Sequence, residues 1–234
     1  MKLFAILTVH LMTPFVGIAL AGEDLLQLTQ DVETNTLVTL DEAIGLEAAG
    51  QRQLFDEGPG KDTKALVFQL TESPHSGVQT TLRNFQPQGS VEVVFRPDGD
   101  VPETQILVNL GSGGNSKWSL SLLPDQTIQA VFLSWPEGET STAIKLRSGP
   151  VSSGEWHHVA LTWSPDDGVK LYLDGKLADE AEGPIFPWKW DGDMLSIGDG
   201  PDYSPEQGGG WMRIDNNFIG RIYQVRVSNV KREF

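Results

Sequence analysis

Short apolar runs alternate with polar turn material along most of this chain, and helical periodicity is weak throughout. In the segment SVEVVFRP, Val91, Val93 and Phe95 fall on one face of an extended strand, and Gly99 follows shortly after its end. This pattern predicts a strand with one apolar face. The spacing of such runs along the chain is typical of β-sandwiches.

The clearest pattern lies in the segment GEWHHVALTWSPDDGVKLYLDGKLADE, which predicts a three-stranded antiparallel meander. Asp166-Asp167-Gly168 and Asp174-Gly175 stand where tight hairpin turns are expected. Val169, Leu171 and Leu173 share one face of the middle strand, which we predict to face the core. Further strands are predicted near residues 37–48, 64–71 and 78–84, and in TQILVNLG, KWSLSLLP, TIQAVFLSW and TAIKLRS.

Three stretches have a less regular pattern. Residues 22–36 are polar and suit a loose lead-in or a short helix. Residues 183–217 have the composition of a long loop, in which only MLSIG has the pattern of a strand. In FIGRIYQVRVSNV the apolar positions change register, and a β-bulge near Tyr223-Gln224 would bring them back to one face.

The first residues have the layout of a secretory signal peptide. Lys2 precedes a mostly apolar run that ends in the small-residue triplet 19–21, so cleavage is expected after Ala21. The alternative is an N-terminal membrane anchor, but the run is short for a span and contains His10 and Pro14. No later apolar run approaches the length of a membrane span, so we expect a secreted or periplasmic protein.

Composition excludes several classes of function. The chain has no cysteine, so it forms no disulfide and offers no thiolate for catalysis or zinc binding. The formal net charge is −15, and it becomes −16 when Lys2 leaves with the signal peptide. Because affinity for a phosphate backbone depends on clustered Lys and Arg, nucleic acid is not an expected partner.

Several motifs together resemble one known family. GEWHHVALTW and GVKLYLDGKL resemble the Trp-His-Val-Ala strand and the Leu-Tyr-x-Asp-Gly hairpin of the LamG-like jelly rolls, in the concanavalin A-like lectin and glucanase superfamily. MLSIGDG resembles that family's short leucine, isoleucine, glycine strand, and FIGRIYQVRVSN resembles its closing strand. The resemblance covers roughly residues 60–230. Two positions depart from it: Val94-Phe95 stands where the family often has a tryptophan, and Tyr223-Gln224 replaces a frequent acidic pair.

The resemblance implies an all-β fold, an antiparallel β-sandwich of the concanavalin A-like jelly-roll type. The expected organisation is a signal peptide at residues 1–21, a lead-in with a first strand at 22–59, and the LamG-like domain at 60–234. Residues 37–234 are expected to form one sandwich.

Catalytic motifs of this superfamily are missing from the sequence. Its glucanases carry two carboxylates on one strand as Glu-x-Asp-x-x-Glu, and no such segment exists here. There is no Gly-x-Ser-x-Gly elbow, and the adjacent His157 and His158 point to opposite faces of a strand. The sequence therefore favours a non-catalytic module over a diverged polysaccharide hydrolase or lyase.

Among cofactors the resemblance favours calcium, because many superfamily members hold this ion at a rim of the sandwich with oxygen ligands from loops. The residues predicted to bind it are Asp191, Asp193, Asp199 and Asp202. The alternative is that these aspartates are ordinary turn residues.

Aromatic residues in the predicted loop point to sugar binding, since aromatic rings cover the apolar faces of pyranoses. The predicted ligand-binding residues are Trp188, Trp190, Tyr203 and Trp211. We therefore predict a module that recognises an extracellular or cell-envelope glycan. The alternative is an adhesion domain that binds a surface protein and has no sugar site.

Overall fold

The computed structural model describes most of the chain in detail. The described residues are 24–31, 36–39, 46–48, 54–61, 63–68, 77–82, 87–99, 102–112, 115–137, 140–187, 193–204, 210–213, 217–228 and 230–234. The predicted signal peptide lies outside them and stays a prediction. Among the described residues, no helix has the length and apolar character that a membrane span requires.

The described residues form eighteen strands, and all strand pairs are antiparallel. In chain order they are β1 (Asp24–Asp31), β2 (Thr36–Thr39), β3 (Leu46–Ala48), β4 (Leu54–Glu57), β5 (Lys64–Phe68), β6 (Val78–Leu82), β7 (Gly89–Pro97), β8 (Gln105–Ser112), β9 (Asn115–Leu122), β10 (Thr127–Ser134), β11 (Thr142–Pro150), β12 (His157–Ser164), β13 (Gly168–Leu173), β14 (Lys176–Ala181), β15 (Asp193–Ile197), β16 (Pro201–Ser204), β17 (Gly210–Arg213) and β18 (Gly220–Ser228).

Two sheets pack face to face, which confirms the predicted all-β antiparallel sandwich. The nine-stranded sheet has the order β14-β13-β12-β7-β18-β1-β2, and β5 joins it through β18 with β4 beyond. The seven-stranded sheet has the order β11-β10-β9-β8-β15-β6-β3. A separate hairpin pairs β16 with β17.

The core lies between the two sheets and follows the predicted alternation. Val91, Val93 and Phe95 of β7 are fully buried, and the residues between them are only partly so. From the opposite sheet, Trp118 approaches Trp163 with ring centroids 6.0 Å apart. The predicted β12–β14 meander is confirmed, and its hairpin residues Gly168 and Gly175 have positive φ angles.

The N-terminal predictions are corrected in two places. Residues 22–36 were expected to be a lead-in or a helix, but Asp24–Asp31 forms a strand that pairs with β18. Pairing with a strand already anchored in the core explains how so polar a segment becomes extended, because the backbone supplies the hydrogen bonds. Residues 37–48 do not form one strand, since β2 joins the nine-stranded sheet and β3 the seven-stranded one.

Residues 183–217 also contain more regular structure than their composition predicts. The strand predicted from MLSIG is confirmed as β15, but β16 and β17 were missed. The predicted β-bulge is confirmed, because the pairing of β18 with β7 shifts register between Ile222 and Gln224. The extra residue there is Tyr223.

Candidate functional site

Two of the four predicted aromatic residues lie opposite each other on the β16–β17 hairpin. Tyr203 of β16 and Trp211 of β17 are Cα partners in the hairpin register. Trp188 and Trp190 lie outside the described residues, and their assignment stays a prediction. Two of the predicted ligand-binding residues therefore lie on one hairpin, although the sequence did not predict the two strands that pair them.

The three described aspartates of the predicted calcium site lie at different positions, in β15, in the connection that follows it and in β16. Asp193 begins β15 opposite Leu82, and Asp202 lies in β16 opposite Met212. Asp199 is buried, and its Oδ1 accepts a hydrogen bond from the backbone N–H of Gly200 at 2.7 Å. Asp191 lies outside the described residues.

No group of three or more His, Asp or Glu residues within the described ranges is arranged to hold a metal ion. Calcium binding therefore stays a prediction.

The chain between β15 and β16 crosses the seven-stranded sheet close to its backbone. Gly198 donates its N–H to the carbonyl of Leu107 at 2.9 Å and accepts a hydrogen bond from the N–H of Phe218 at 3.0 Å. A Cβ atom on Gly200 would lie 3.0 Å from Cβ of Asn109. The hairpin that follows lies next to β8 and β9. It therefore stands against the sheet face that carries Asn109.

That sheet face is polar where the hairpin approaches it. Ser196, Asn109 and Ser119 are successive Cα partners across β15, β8 and β9. Ser119 and Ser121 alternate with the core residues Trp118, Leu120 and Leu122, so their side chains point away from the core. We call Ser196, Asn109, Ser119 and Ser121 the polar row; all four are buried.

Two hydroxyls of the polar row lack a hydrogen-bond partner among the described residues. Oγ of Ser119 and Oγ of Ser121 are fully buried, and neither has a bonding partner among the described residues. A buried hydroxyl without a partner costs about 1–3 kcal/mol relative to one that is bonded. Such groups are normally satisfied by water or by a ligand. The pair therefore marks a place suited to a polar molecule.

The two adjacent histidines serve the scaffold. Nδ1 of His157 lies 3.0 Å from Oδ2 of Asp174, and its other ring nitrogen lies 3.1 Å from the backbone of Ser152. Nε2 of His158 lies 3.3 Å from Glu92. The two side chains thus have separate partners, as expected for neighbours on a strand.

A second polar cluster surrounds Arg221 of β18. Its Nε donates to Oδ2 of Asp56 at 2.8 Å, and its terminal nitrogens contact Asp56 and Asp98. The hydrogen bond from Arg221 holds the pKa of Asp56 below its ordinary value, and the backbone N–H of Glu57 adds to this effect. The cluster joins β4 to β18 and to the end of β7.

Arg221→Gln is expected to lower the free energy of unfolding by about 1–2 kcal/mol at neutral pH, because Asp56 and Asp98 lose their cation. A carboxylate with a lowered pKa contributes stability above its unfolded pKa and loses it on protonation. The difference from wild type should therefore shrink as the pH falls below about 4. Urea unfolding at several pH values measures this. Arg147→Gln, in the exposed pair with Asp125, is the control and should change stability less.

Solved structures with low sequence identity to this chain share its fold. The receptor binding domain of botulinum neurotoxin D is 14% identical, with a TM-score of 0.61, over 89% of this chain and 49% of that one. The type G receptor binding domain is 11% identical, with a TM-score of 0.60, over 89% and 48%. A serotype D ligand binding domain in complex with N-acetylneuraminic acid is 13% identical, with a TM-score of 0.59 and the same coverage. The chain spans about half the length of these domains.

No curated protein matches the sequence. Residues 72–233 match the Laminin_G_3 family, described as the concanavalin A-like lectin/glucanases superfamily. The matched segment begins before β6 and extends beyond β18, so it includes every strand of the two sheets from β6 onward. The resemblance inferred from the sequence motifs is confirmed. Since the match covers well over half of the chain, this protein belongs to the Laminin_G_3 family of the concanavalin A-like lectin/glucanases superfamily.

Proposed function

We propose that this protein is an exported, non-catalytic module that binds a glycan between the β16–β17 hairpin and the polar row. The observation that carries the proposal is the pair of buried hydroxyls, on Ser119 and Ser121, without partners among the described residues. Sugar hydroxyls both donate and accept hydrogen bonds, so they match serine hydroxyls and the amide of Asn109. The proposal assigns the aromatic contacts with the sugar to Tyr203 and Trp211.

The comparisons support a binding role by analogy of fold. The serotype D neurotoxin domain was solved with N-acetylneuraminic acid, and a related domain was solved in complex with SialylT. Those ligands belong to those proteins. Export rests on the signal-like layout of residues 1–21, and calcium assistance rests on the aspartates of residues 191–202. Both are parts of the proposal that experiment must test.

Ser119→Ala and Ser121→Ala should separate binding from folding. Each is expected to weaken glycan binding about five- to tenfold, since one hydrogen bond to the sugar is lost. Neither should destabilise the protein, because alanine removes a buried hydroxyl that has no partner among the described residues. Glycan-array screening identifies the sugar, titration calorimetry measures its Kd, and urea unfolding measures stability.

Ser148→Ala is the matched control on the same sheet. Ser148 is buried, but its Oγ accepts from the N–H of Ile128 at 2.9 Å and donates to the carbonyl of Gly149 at 2.6 Å. This variant should lose stability and keep its affinity. The proposal fails if Ser119→Ala and Ser121→Ala bind the glycan as wild type does. Binding to no glycan, together with capture of a surface protein, would favour the adhesion alternative. Loss of binding in chelator would support calcium.

A further inference from the structure

A cluster of two aromatic rings and a guanidinium lies on the opposite sheet, away from the polar row. Trp156 is half-buried just before β12, and the guanidinium carbon of Arg96 lies 5.5 Å from the centroid of its ring. Tyr223 meets Trp156 edge-on, with ring centroids 6.5 Å apart and an interplanar angle of 79°. We call Trp156, Tyr223 and Arg96 the Trp156 platform.

A β-bulge in β18 lies at Tyr223. Strict alternation from Ile222 would turn Gln224 toward the core and Val225 away from it, but Ile222 and Val225 are both buried. The register shift between Ile222 and Gln224 leaves Tyr223 and Gln224 both partly exposed. Burial of part of the ring raises the pKa of the Tyr223 hydroxyl, so this group stays neutral well above physiological pH.

The loop that carries Trp156 is tied to the end of β7. The N–H of Gly154 donates to the carbonyl of Pro97 at 2.8 Å, and Oγ of Ser153 donates to the carbonyl of Gly99 at 3.1 Å. The N–H of Ser152 donates to Nε2 of His157 at 3.1 Å. The indole is therefore held in place before any ligand arrives, which lowers the entropic cost of binding.

Among the described residues, the charged groups around Arg96 leave its Nε without a hydrogen bond. Its Cα partner Arg221 is already bound by Asp56 and Asp98. The carboxylate contact of Arg96 is with Oδ1 of Asp98, 3.9 Å from Nε, which is too long for a hydrogen bond. That Nε is buried and has no hydrogen-bond partner within the described part of the chain. Among the described residues, Arg96 is thus a positioned guanidinium without a hydrogen-bonded anion at Nε.

We propose that the Trp156 platform binds a sugar that carries a carboxylate. The planar fork of a guanidinium pairs with a carboxylate through two parallel hydrogen bonds, a geometry that lysine cannot reproduce. The exposed parts of Trp156 and Tyr223 offer the apolar surface that a pyranose ring covers. The chain's net charge of −15 repels anions in general, so recognition depends on this local cation. The site lies on the other sheet from the polar row and does not depend on the function proposed above.

Methyl β-D-glucuronide and methyl β-D-glucoside are the probes, because they differ only at C6, which is a carboxylate in the first and a hydroxymethyl group in the second. Saturable shifts of the Trp156 indole N–H signal, followed by NMR, should appear with the glucuronide. The glucoside should bind at least tenfold more weakly. Arg96→Gln should weaken glucuronide binding at least tenfold, and Arg96→Lys should restore little of it. Arg147→Gln, which removes a guanidinium from the other sheet, should leave the affinity unchanged.

Equal affinity for glucuronide and glucoside would overturn the proposal, as would unchanged binding in Arg96→Gln. Unfolding midpoints of the variants show whether each is folded, and Arg96→Lys keeps the charge if the glutamine variant is not. Ser119→Ala distinguishes this site from the polar row. If that variant loses the glucuronide while Arg96→Gln keeps it, the acidic sugar belongs to the polar row and the Trp156 platform is excluded. Failure of glycan binding at the polar row leaves this test unaffected.

Discussion

Trp163→Ala is expected to lower the free energy of unfolding by about 3–5 kcal/mol, which is typical for removing a large aromatic side chain from a core. Trp163 belongs to the nine-stranded sheet, and its ring lies 6.0 Å from that of Trp118 and 5.8 Å from that of Phe132 in the opposite sheet. The indole therefore spans the space between the sheets. Alanine leaves a cavity that two rigid sheets cannot close. Urea unfolding measures the loss, and the dependence of the unfolding free energy on urea concentration should be the same as in wild type.

Trp156→Ala is the matched control for this substitution. The same atoms are removed, but Trp156 is only partly buried and contacts Arg96 and Tyr223 at the surface. We expect it to cost about 1–2 kcal/mol, because part of its ring stays exposed to water and its removal leaves no closed cavity. Losses of equal size in the two variants would contradict the assignment of Trp163 to the centre of the core.

The family motifs predicted the fold well because their residues are packing residues. Gly220 of the closing motif has a φ of +151°, and a Cβ there would lie 2.2 Å from the carbonyl oxygen of Arg96 and 2.7 Å from the ring of Phe218. Gly220 therefore leaves the space that the ring of Phe218 and the backbone of Arg96 occupy where β7 pairs with β18. A motif made of such residues indicates a fold and carries little information about a ligand.

The polar segments could not be assigned from the sequence for a different reason. Asp24–Asp31 has only a short alternation, at Leu26 and Leu28, and it becomes a strand through its pairing with β18, which lies at the other end of the chain. The local sequence pattern does not predict a pairing between strands that lie so far apart in the chain. The bulge at Tyr223 was predictable, because a change of register within one strand is visible in the sequence itself.

The candidate sites were only partly predictable. Ser119 and Ser121 have the ordinary pattern of a strand with one solvated face. They are buried beside the β16–β17 hairpin, which lies far along the chain, so their lack of hydrogen-bond partners within the described ranges depends on tertiary structure. Trp156 lies in the family-like motif GEWHHVALTW and was not among the predicted ligand-binding residues. Its stacking with Arg96 depends on the loop that follows β11, which the sequence pattern does not describe.

Gly198→Ala is expected to lower the free energy of unfolding by about 2–5 kcal/mol. Gly198 has a φ of +74°, where an alanine costs about 1–2 kcal/mol. A Cβ there would lie 2.1 Å from the ring of Phe68, and forcing that ring aside adds about 1–3 kcal/mol. The residue also directs the chain toward β16, so glycan binding at the polar row should weaken in the same variant. Urea unfolding and calorimetric titration measure the two effects.

Gly99→Ala separates the two causes, because Gly99 has the same φ of +74° and no described atom lies within 4 Å of the place where its Cβ would stand. It should show only the backbone cost of about 1–2 kcal/mol. Adding Phe68→Leu to Gly198→Ala should cost less than Phe68→Leu costs alone, since the smaller side chain relieves the overlap. Equal losses in Gly198→Ala and Gly99→Ala, with no coupling to Phe68, would mean that backbone conformation alone requires glycine between β15 and β16.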